Sequence, residues 1–125
     1  MFQPKAVAAA LPAQDFERAK AFWAEKVGFS PVSETDEEAR YRVGQNEFLV
    51  FPSSGKASGD HTQIAFEVED IEAAVAGLRE RGVVFQEYDT PDFKTVDGIV
   101  ELEGEKAAWF KDSEGNVVAV GQYSE

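Results

Sequence analysis

The sequence predicts an α+β protein that is built from two similar halves. Three observations predict this class. An internal repeat aligns Asp15 with Asp70, which lies 55 positions later. Each copy of the repeat contains an amphipathic helix, and each helix stands between runs of strand-like residues. A repeat of this length decides the architecture, because each copy forms one supersecondary unit.

The two copies align without a gap through the helix. Identical or similar residues pair at Phe16/Ile71, Glu17/Glu72, Ala19/Ala74, Ala21/Ala76, Trp23/Leu78, Glu25/Glu80 and Lys26/Arg81, and a shift of one residue then matches Gly28 with Gly82. Apolar side chains recur with a period of 3.6 in both copies, which predicts two helices that each cover a sheet. Asp15 and Asp70 are suitable N-caps, and the two glycines are suitable C-terminal stops.

Strand-like runs surround both helices. Residues 7–11 precede the first helix and residues 62–68 precede the second, while further runs cover 39–43, 47–51, 83–88, 99–102, 107–111 and 116–122. The polar, Gly- and Ser-rich segment 52–60 is typical of a linker. We therefore expect one domain over residues 1–125, with module one at about 1–55 and module two at about 60–125.

Composition excludes several classes of function. With 24 acidic and 12 basic residues the chain has a net charge of −12, which disfavours nucleic acid and anionic membranes as partners. Without cysteine there are no disulfides, thiolate metal sites or cysteine nucleophiles. The N-terminus lacks the pattern of a secretory signal and no long apolar run occurs, so we expect a cytoplasmic protein without contact to a membrane.

Two segments carry a family resemblance. Residues 13–23, closing on Val27-Gly28-Phe29, resemble the first-helix signature of the vicinal oxygen chelate superfamily, which includes glyoxalases, bleomycin-resistance proteins and dioxygenases. Residues 107–116 resemble its strand–turn–strand ending. The resemblance implies two βαβββ modules in tandem that form a curved mixed sheet around a cleft, with the helices outside. It also implies a homodimer.

The metal-binding positions of that family lack suitable residues here. The resemblance places the usual metal ligands at Ala8, Gln63, Ala119 and Val50, and only Gln63 offers an oxygen atom. Because divalent ions need several charged or imidazole ligands, we expect no metal and no other cofactor. His61 is expected in an exposed loop, although a slipped strand register could turn it inward. Glu101 and Glu103 share one strand face, which fits a solvated surface better than a carboxylate pair that performs catalysis.

Strand alternation also identifies candidate ligand-binding residues. If Ile64 and Phe66 face the helices, then Gln63 and Glu67 face the cleft, beside small residues such as Ala119. Trp109 and Tyr41 would add aromatic walls, and the alternative that these two fill the core or a dimer interface stays open. The predicted ligand-binding residues are Gln63, Glu67, Trp109 and Tyr41.

The predicted function is therefore a metal-free binding protein for an unknown small molecule, similar to the bleomycin-resistance branch, that sequesters an amphipathic or cationic ligand. Catalysis is not expected. The alternatives are a metal-dependent glyoxalase-like lyase or dioxygenase with an atypical site around His61 and Gln63, and a structural or regulatory dimer with a vestigial pocket.

Overall fold

The structure, a computed structural model that describes residues 1–124, contains two four-stranded mixed sheets. The first module consists of β1 (Ala9–Ala13), α1 (Phe16–Phe22), a π-helical turn (Trp23–Val27), β2 (Ser33–Glu34), β3 (Ala39–Val43) and β4 (Asn46–Pro52). Its strand order is β1-β4-β3-β2, with β1 parallel to β4 and the other pairs antiparallel.

The second module repeats this plan with one insertion. It consists of β5 (Thr62–Glu67), α2 (Ile71–Glu80), β6 (Asp89–Thr90), β7 (Phe93–Lys94), β8 (Val100–Leu102), β9 (Glu105–Lys111) and β10 (Val117–Tyr123). The sheet order is β5-β10-β9-β8, with β5 parallel to β10, and β6 and β7 form a separate hairpin. The two predicted βαβββ modules are confirmed.

Some predicted strands differ from the observed ones. Val7 is almost fully exposed and lies outside the sheet, since the pairing between β1 and β4 begins at Ala9. The segment 83–88 makes only an isolated bridge, between Phe85 and Phe110. It leaves the sheet because Tyr88 pairs instead with Thr95, whose hydroxyl accepts a hydrogen bond from the Tyr88 amide at 2.8 Å. The short strand β2 was not predicted.

Both helices begin where the sequence predicts. The side chain of Asp15 accepts a hydrogen bond from the Arg18 amide at 3.0 Å, and Asp70 accepts one from the Ala73 amide at 3.1 Å. Each carboxylate thus satisfies an amide that has no partner inside the helix, and it lies at the positive end of the helix dipole.

The π-helical turn explains the one-residue shift in the repeat. Thirteen positions separate Asp15 from Gly28, whereas twelve separate Asp70 from Gly82. The extra residue of the first copy is absorbed in the turn Trp23–Val27, where the Gly28 amide donates to the Trp23 carbonyl five residues earlier. Gly28 and Gly82 both have positive φ, at 87° and 96°, a conformation that glycine adopts without strain.

One core joins the two modules. The indole of Trp23 is fully buried, with ring centroids 5.1 Å from Phe48 of the first sheet and 6.2 Å from Phe66 of the second. Phe22 of α1 also lies 6.4 Å from Phe110 of β9. The apolar faces of both sheets and both helices therefore belong to a single cluster.

A polar cluster at the turn between β9 and β10 also joins the two modules. Arg18 of α1 donates to the Glu114 carboxylate at 2.7 and 2.9 Å, and the Asn116 side chain donates to the Pro12 carbonyl at 3.1 Å. The guanidinium holds the pKa of Glu114 down at about 2. Burial raises the pKa of the neighbouring Asp112, although its carboxylate accepts three hydrogen bonds from Glu114 and Asn116.

Candidate functional site

The face of the second sheet opposite α2, called here the open face, carries Trp109 of the four predicted ligand-binding residues, beside Ala65 and Ala119. Ala65 of β5 pairs with Ala119 of β10, which pairs in turn with Trp109 of β9. Because neighbouring strands lie about 4.8 Å apart, Trp109 stands about 10 Å from Ala65 across a floor of small side chains. Ala65 is exposed, so this floor is accessible in the single chain.

Trp109 forms an aromatic cluster with two residues that the sequence analysis missed. Its ring centroid lies 5.7 Å from that of Tyr88, which precedes β6, and 5.2 Å from that of Phe93, the first residue of β7. The indole NH donates to the Thr62 hydroxyl at 3.2 Å, which fixes the orientation of the ring. Two aromatic residues on either side of the turn segment 89–92 were the available signal, but only the fold brings them to Trp109.

Gln63 lies at an irregularity in β5. Thr62 and Ile64 pair with the consecutive residues Val117 and Val118 of β10, so Gln63 is an extra residue in the ladder. Bulges of this kind redirect a side chain and are common beside functional sites. The Oε1 atom of Gln63 is buried and accepts no hydrogen bond within residues 1–124. A ligand that donates a hydrogen bond would satisfy this atom.

Glu67 lies at the other end of β5. It is exposed and lines a cavity of about 400 Å³, to which Ala65 of β5 and Asn46, Glu47 and Phe48 of β4 also contribute. A carboxylate at the rim of such a cavity favours a cationic group. The structure thus brings Glu67 together with Ala65, while Trp109 and its aromatic cluster lie two strands away.

Tyr41 does not lie on an open face. Its side chain is 1% exposed and stacks on Phe48 at 5.0 Å, beneath Trp23. Burial raises the pKa of the Tyr41 hydroxyl, which has no hydrogen-bond partner within the described chain. The alternation of β3 turns Tyr41 toward the helices, and it is therefore a core residue.

The predicted metal-ligand positions need one correction. Val50 is fully buried on the helix side of β4, where it pairs with Leu11. The residue of β4 that shares the face of Ala10 is Leu49, which occupies the place that Ala119 has in the second sheet. Ala8, Leu49 and Ala119 are aliphatic, so these positions with the one amide of Gln63 do not fit a divalent ion.

Other polar groups lie apart from these positions. His61 is exposed at the end of the linker, with Nδ1 3.4 Å from the Ser58 hydroxyl. Glu101 is exposed and has Lys106 at 3.5 Å, and Glu103 is exposed as well. No cluster of three His, Asp or Glu side chains within residues 1–124 is arranged to hold a metal ion.

The open face of the first sheet contributes a charged group that the sequence analysis also missed. Arg40 donates to Glu38 at 3.0 Å and to Glu47 at 3.1 Å, beside a cavity of about 700 Å³ that Ala8 and Leu49 also line. Hydrogen bonds from Arg42 and then from Arg40 lower the pKa of Glu47. Each module therefore presents a different chemistry: an ion-paired arginine on the first sheet and an aromatic cluster on the second.

Comparison with known proteins gives matches over nearly the whole chain. The family profile described as Glyoxalase/Bleomycin resistance protein/Dioxygenase superfamily matches residues 5–120. No curated protein sequence gives a significant match. No helix within residues 1–124 is long and apolar enough to cross a membrane.

Three solved structures illustrate the similarity in fold. UcmS2 is 18% identical, with 96% of this chain and 98% of that chain covered and a TM-score of 0.75. TnmS3, an antibiotic binding protein from Streptomyces sp. CB03234, is 22% identical, with 99% of both chains covered and a TM-score of 0.66. The fosfomycin resistance protein FosX from Listeria monocytogenes is 12% identical, with 98% and 96% covered and a TM-score of 0.70.

Proposed function

Because the chain belongs to the glyoxalase/bleomycin resistance protein/dioxygenase superfamily, we propose that it is a metal-free binding protein for an amphipathic or cationic small molecule. The proposal places the ligand on the open face of the second sheet. The observation that supports it best is the aromatic cluster of Trp109, Tyr88 and Phe93 on the face that also carries Ala65 and Ala119.

The chemistry of this face favours a flat ligand. Small side chains leave room, and Trp109 offers a large apolar surface whose orientation is fixed by Thr62. Gln63 can accept a hydrogen bond from the ligand, and the carboxylate of Glu67 favours a positive charge. The net charge of −12 supports a cation over an anion. TnmS3, which has the same fold, binds an antibiotic, and this class of molecule is the first to test.

We also propose that the protein acts as a homodimer in which a second copy covers the open faces. Ala10 and Ala65 are exposed on the edge strands β1 and β5, which supports this arrangement, because a second copy that covers them would remove apolar surface from water. Sedimentation at micromolar concentration tests it, and a monomer would overturn this part of the proposal. The cytoplasmic location stays a prediction.

The binding function is tested by a thermal-shift screen of chelator-treated protein against aromatic cationic drugs and divalent metals. A ligand that binds the native state raises the melting temperature. We expect organic ligands to raise it and Trp109→Ala to weaken their binding about 30-fold, the loss typical of a central aromatic contact. Trp109→Phe, the matched control, keeps a ring and should retain most of the affinity. Unchanged binding in Trp109→Ala would place the ligand elsewhere.

The same screen tests the enzyme alternative. A melting temperature that rises only with one metal, such as nickel or zinc, would contradict the metal-free proposal and support a lyase or dioxygenase. His61, the histidine on which that alternative depends, is exposed just before β5, with Nδ1 3.4 Å from the Ser58 hydroxyl.

A further inference from the structure

A second cavity lies on the opposite side of the second sheet, beneath α2. Its volume is about 350 Å³, within the range of small-molecule sites. The floor and roof are apolar and consist of Phe66, Phe110 and Val120 of the sheet and Ala74, Gly77 and Leu78 of α2. Phe29 and Val43 of the first module close one side. The sheet separates most of this cavity from the open face, but Phe66 and Glu67, at the end of β5, line both this cavity and the cavity beside Ala65.

The internal repeat explains why the space is empty. In the first module Phe22 and Trp23 fill the corresponding place beneath α1, and Trp23 is fully buried. The aligned residues of α2 are Gly77 and Leu78. A Cβ atom built on Gly77 meets no other atom within 4 Å. The cavity therefore lies where α2 carries glycine at the position that a phenylalanine occupies in α1.

The ends of the cavity carry opposite charges. Arg81, just after the last turn of α2, lines one end, and its Nη1 donates to the Glu25 carbonyl at 3.0 Å. No ion pair within residues 1–124 includes Arg81, so its other N–H groups remain available to an anion. Ala73 lies in the first turn of α2, about 12 Å from Arg81 along the helix, and Glu67 lines the cavity from the end of β5, which leads into α2.

We propose that this cavity binds an elongated apolar monocarboxylate, with its chain between Gly77 and Phe66 and its carboxylate at Arg81. The body of a medium-chain or aryl acid matches the aromatic and aliphatic walls. The carboxylate receives hydrogen bonds from the guanidinium, which are stronger than those between neutral groups. Glu67 repels a second anionic group at the far end, so a dicarboxylate should bind more weakly than a monocarboxylate. This site shares Glu67 with the proposed ligand surface on the open face, and variants of Gly77 and Trp109 distinguish the two sites.

Three probes of equal chain length test the proposal: octanoate, octanol and octanedioate, each titrated by calorimetry. We expect octanoate to bind about tenfold more tightly than octanol, and octanedioate to bind more weakly than octanoate. Arg81→Gln should remove the advantage of octanoate over octanol. If octanoate does not bind, or if octanedioate binds equally well, the proposal is wrong.

Two filling variants locate the site. Gly77→Phe restores the residue of the first module and should abolish octanoate binding, and Gly77→Leu serves if the larger ring disturbs folding. Ala76→Phe is the matched control, because Ala76 is exposed on the same helix and does not line the cavity. Octanoate binding that survives Gly77→Phe in a folded protein but is lost in Trp109→Ala would place the ligand on the open face. The wild type could fail to bind octanoate while Gly77→Phe changes the sedimentation of the protein. That result would identify the cavity as a self-association surface and overturn the proposal.

Discussion

The buried carboxylate of Glu114 accepts hydrogen bonds from three other residues. Its carboxylate is 1% exposed and accepts hydrogen bonds from Arg18, from the Asp15 amide at 3.0 Å and from the Ser113 hydroxyl at 2.8 Å. It therefore connects the start of α1 to the last hairpin of the second module. A buried carboxylate is stabilising only while these partners are present.

This contact predicts a pH-dependent stability. Glu114→Gln should lower the free energy of unfolding by about 2 kcal/mol at pH 7, because the variant loses the charge that Arg18 pairs with. The pKa of Glu114 is lowered to about 2 in the folded state, so its contribution is complete above the ordinary carboxylate pKa and decreases as the pH falls toward 2. Urea denaturation of both proteins at pH 7, 5 and 3 measures the difference. A difference that does not change with pH would contradict the assignment of the charge.

Strand alternation decided which residues of the site could be predicted from the sequence. Alternation correctly separated Ala65 and Ala119 from Phe66 and Val120, since each of these lies in a regular strand. It could not orient Tyr41 without knowledge of which face of β3 the first helix covers. Tyr88, Phe93 and Arg40 could not be recognised, because their neighbours are distant in sequence and are brought together only by the fold.

The two helices differ although their sequences align. α1 ends in a π-helical turn and fills its side of the core with Phe22 and Trp23, while α2 remains regular and leaves a cavity at Gly77. The caps of both helices were predictable from Asp15 and Asp70, since they depend on residues three positions apart. The absence of the strand expected over 83–88 could not be predicted, because it depends on the hydrogen bonds between Tyr88 and Thr95.

Two glycines of the second helix region should respond oppositely to alanine. Gly77→Ala should raise the free energy of unfolding by about 0.5–1 kcal/mol, since it restricts the unfolded chain and has space in the helix. Gly82→Ala is the contrasting variant and should destabilise by at least that amount, because φ is 96° and the new methyl would lie 2.6 Å from the present position of Lys26 Nζ. Chemical denaturation measures both. Equal effects of the two substitutions would refute this interpretation of the backbone.

The whole molecule is expected to unfold as one unit. Trp23 contacts both sheets, and one apolar cluster includes both modules. The linker and the repeat made two modules predictable, but neither showed that the modules share a core, because that depends on how they pack against each other.

A truncation tests this shared core. Residues 60–125 alone should fail to fold, since Phe66 and Phe110 would lose their contacts with Trp23 and Phe22. Circular dichroism and the dispersion of amide proton signals would report the absence of a folded state. The full chain should show a single transition, identical by fluorescence and circular dichroism. A fragment that folds cooperatively would mean that the contacts between the two modules contribute little to the stability of the second module.

The π-helical turn at Trp23–Val27 also records the ancestry of the chain. The internal repeat indicates that the two halves arose by duplication of one segment, and the helix of the first copy is now one residue longer than that of the second. An added residue in a regular helix would rotate everything that follows by about 100°. By widening a single turn, the first copy accommodated the indel while its terminal glycine kept the same left-handed geometry as its counterpart. Alignments of the two halves must therefore change their offset within this helix, and homologues that lack the extra codon should have a regular α-helix there.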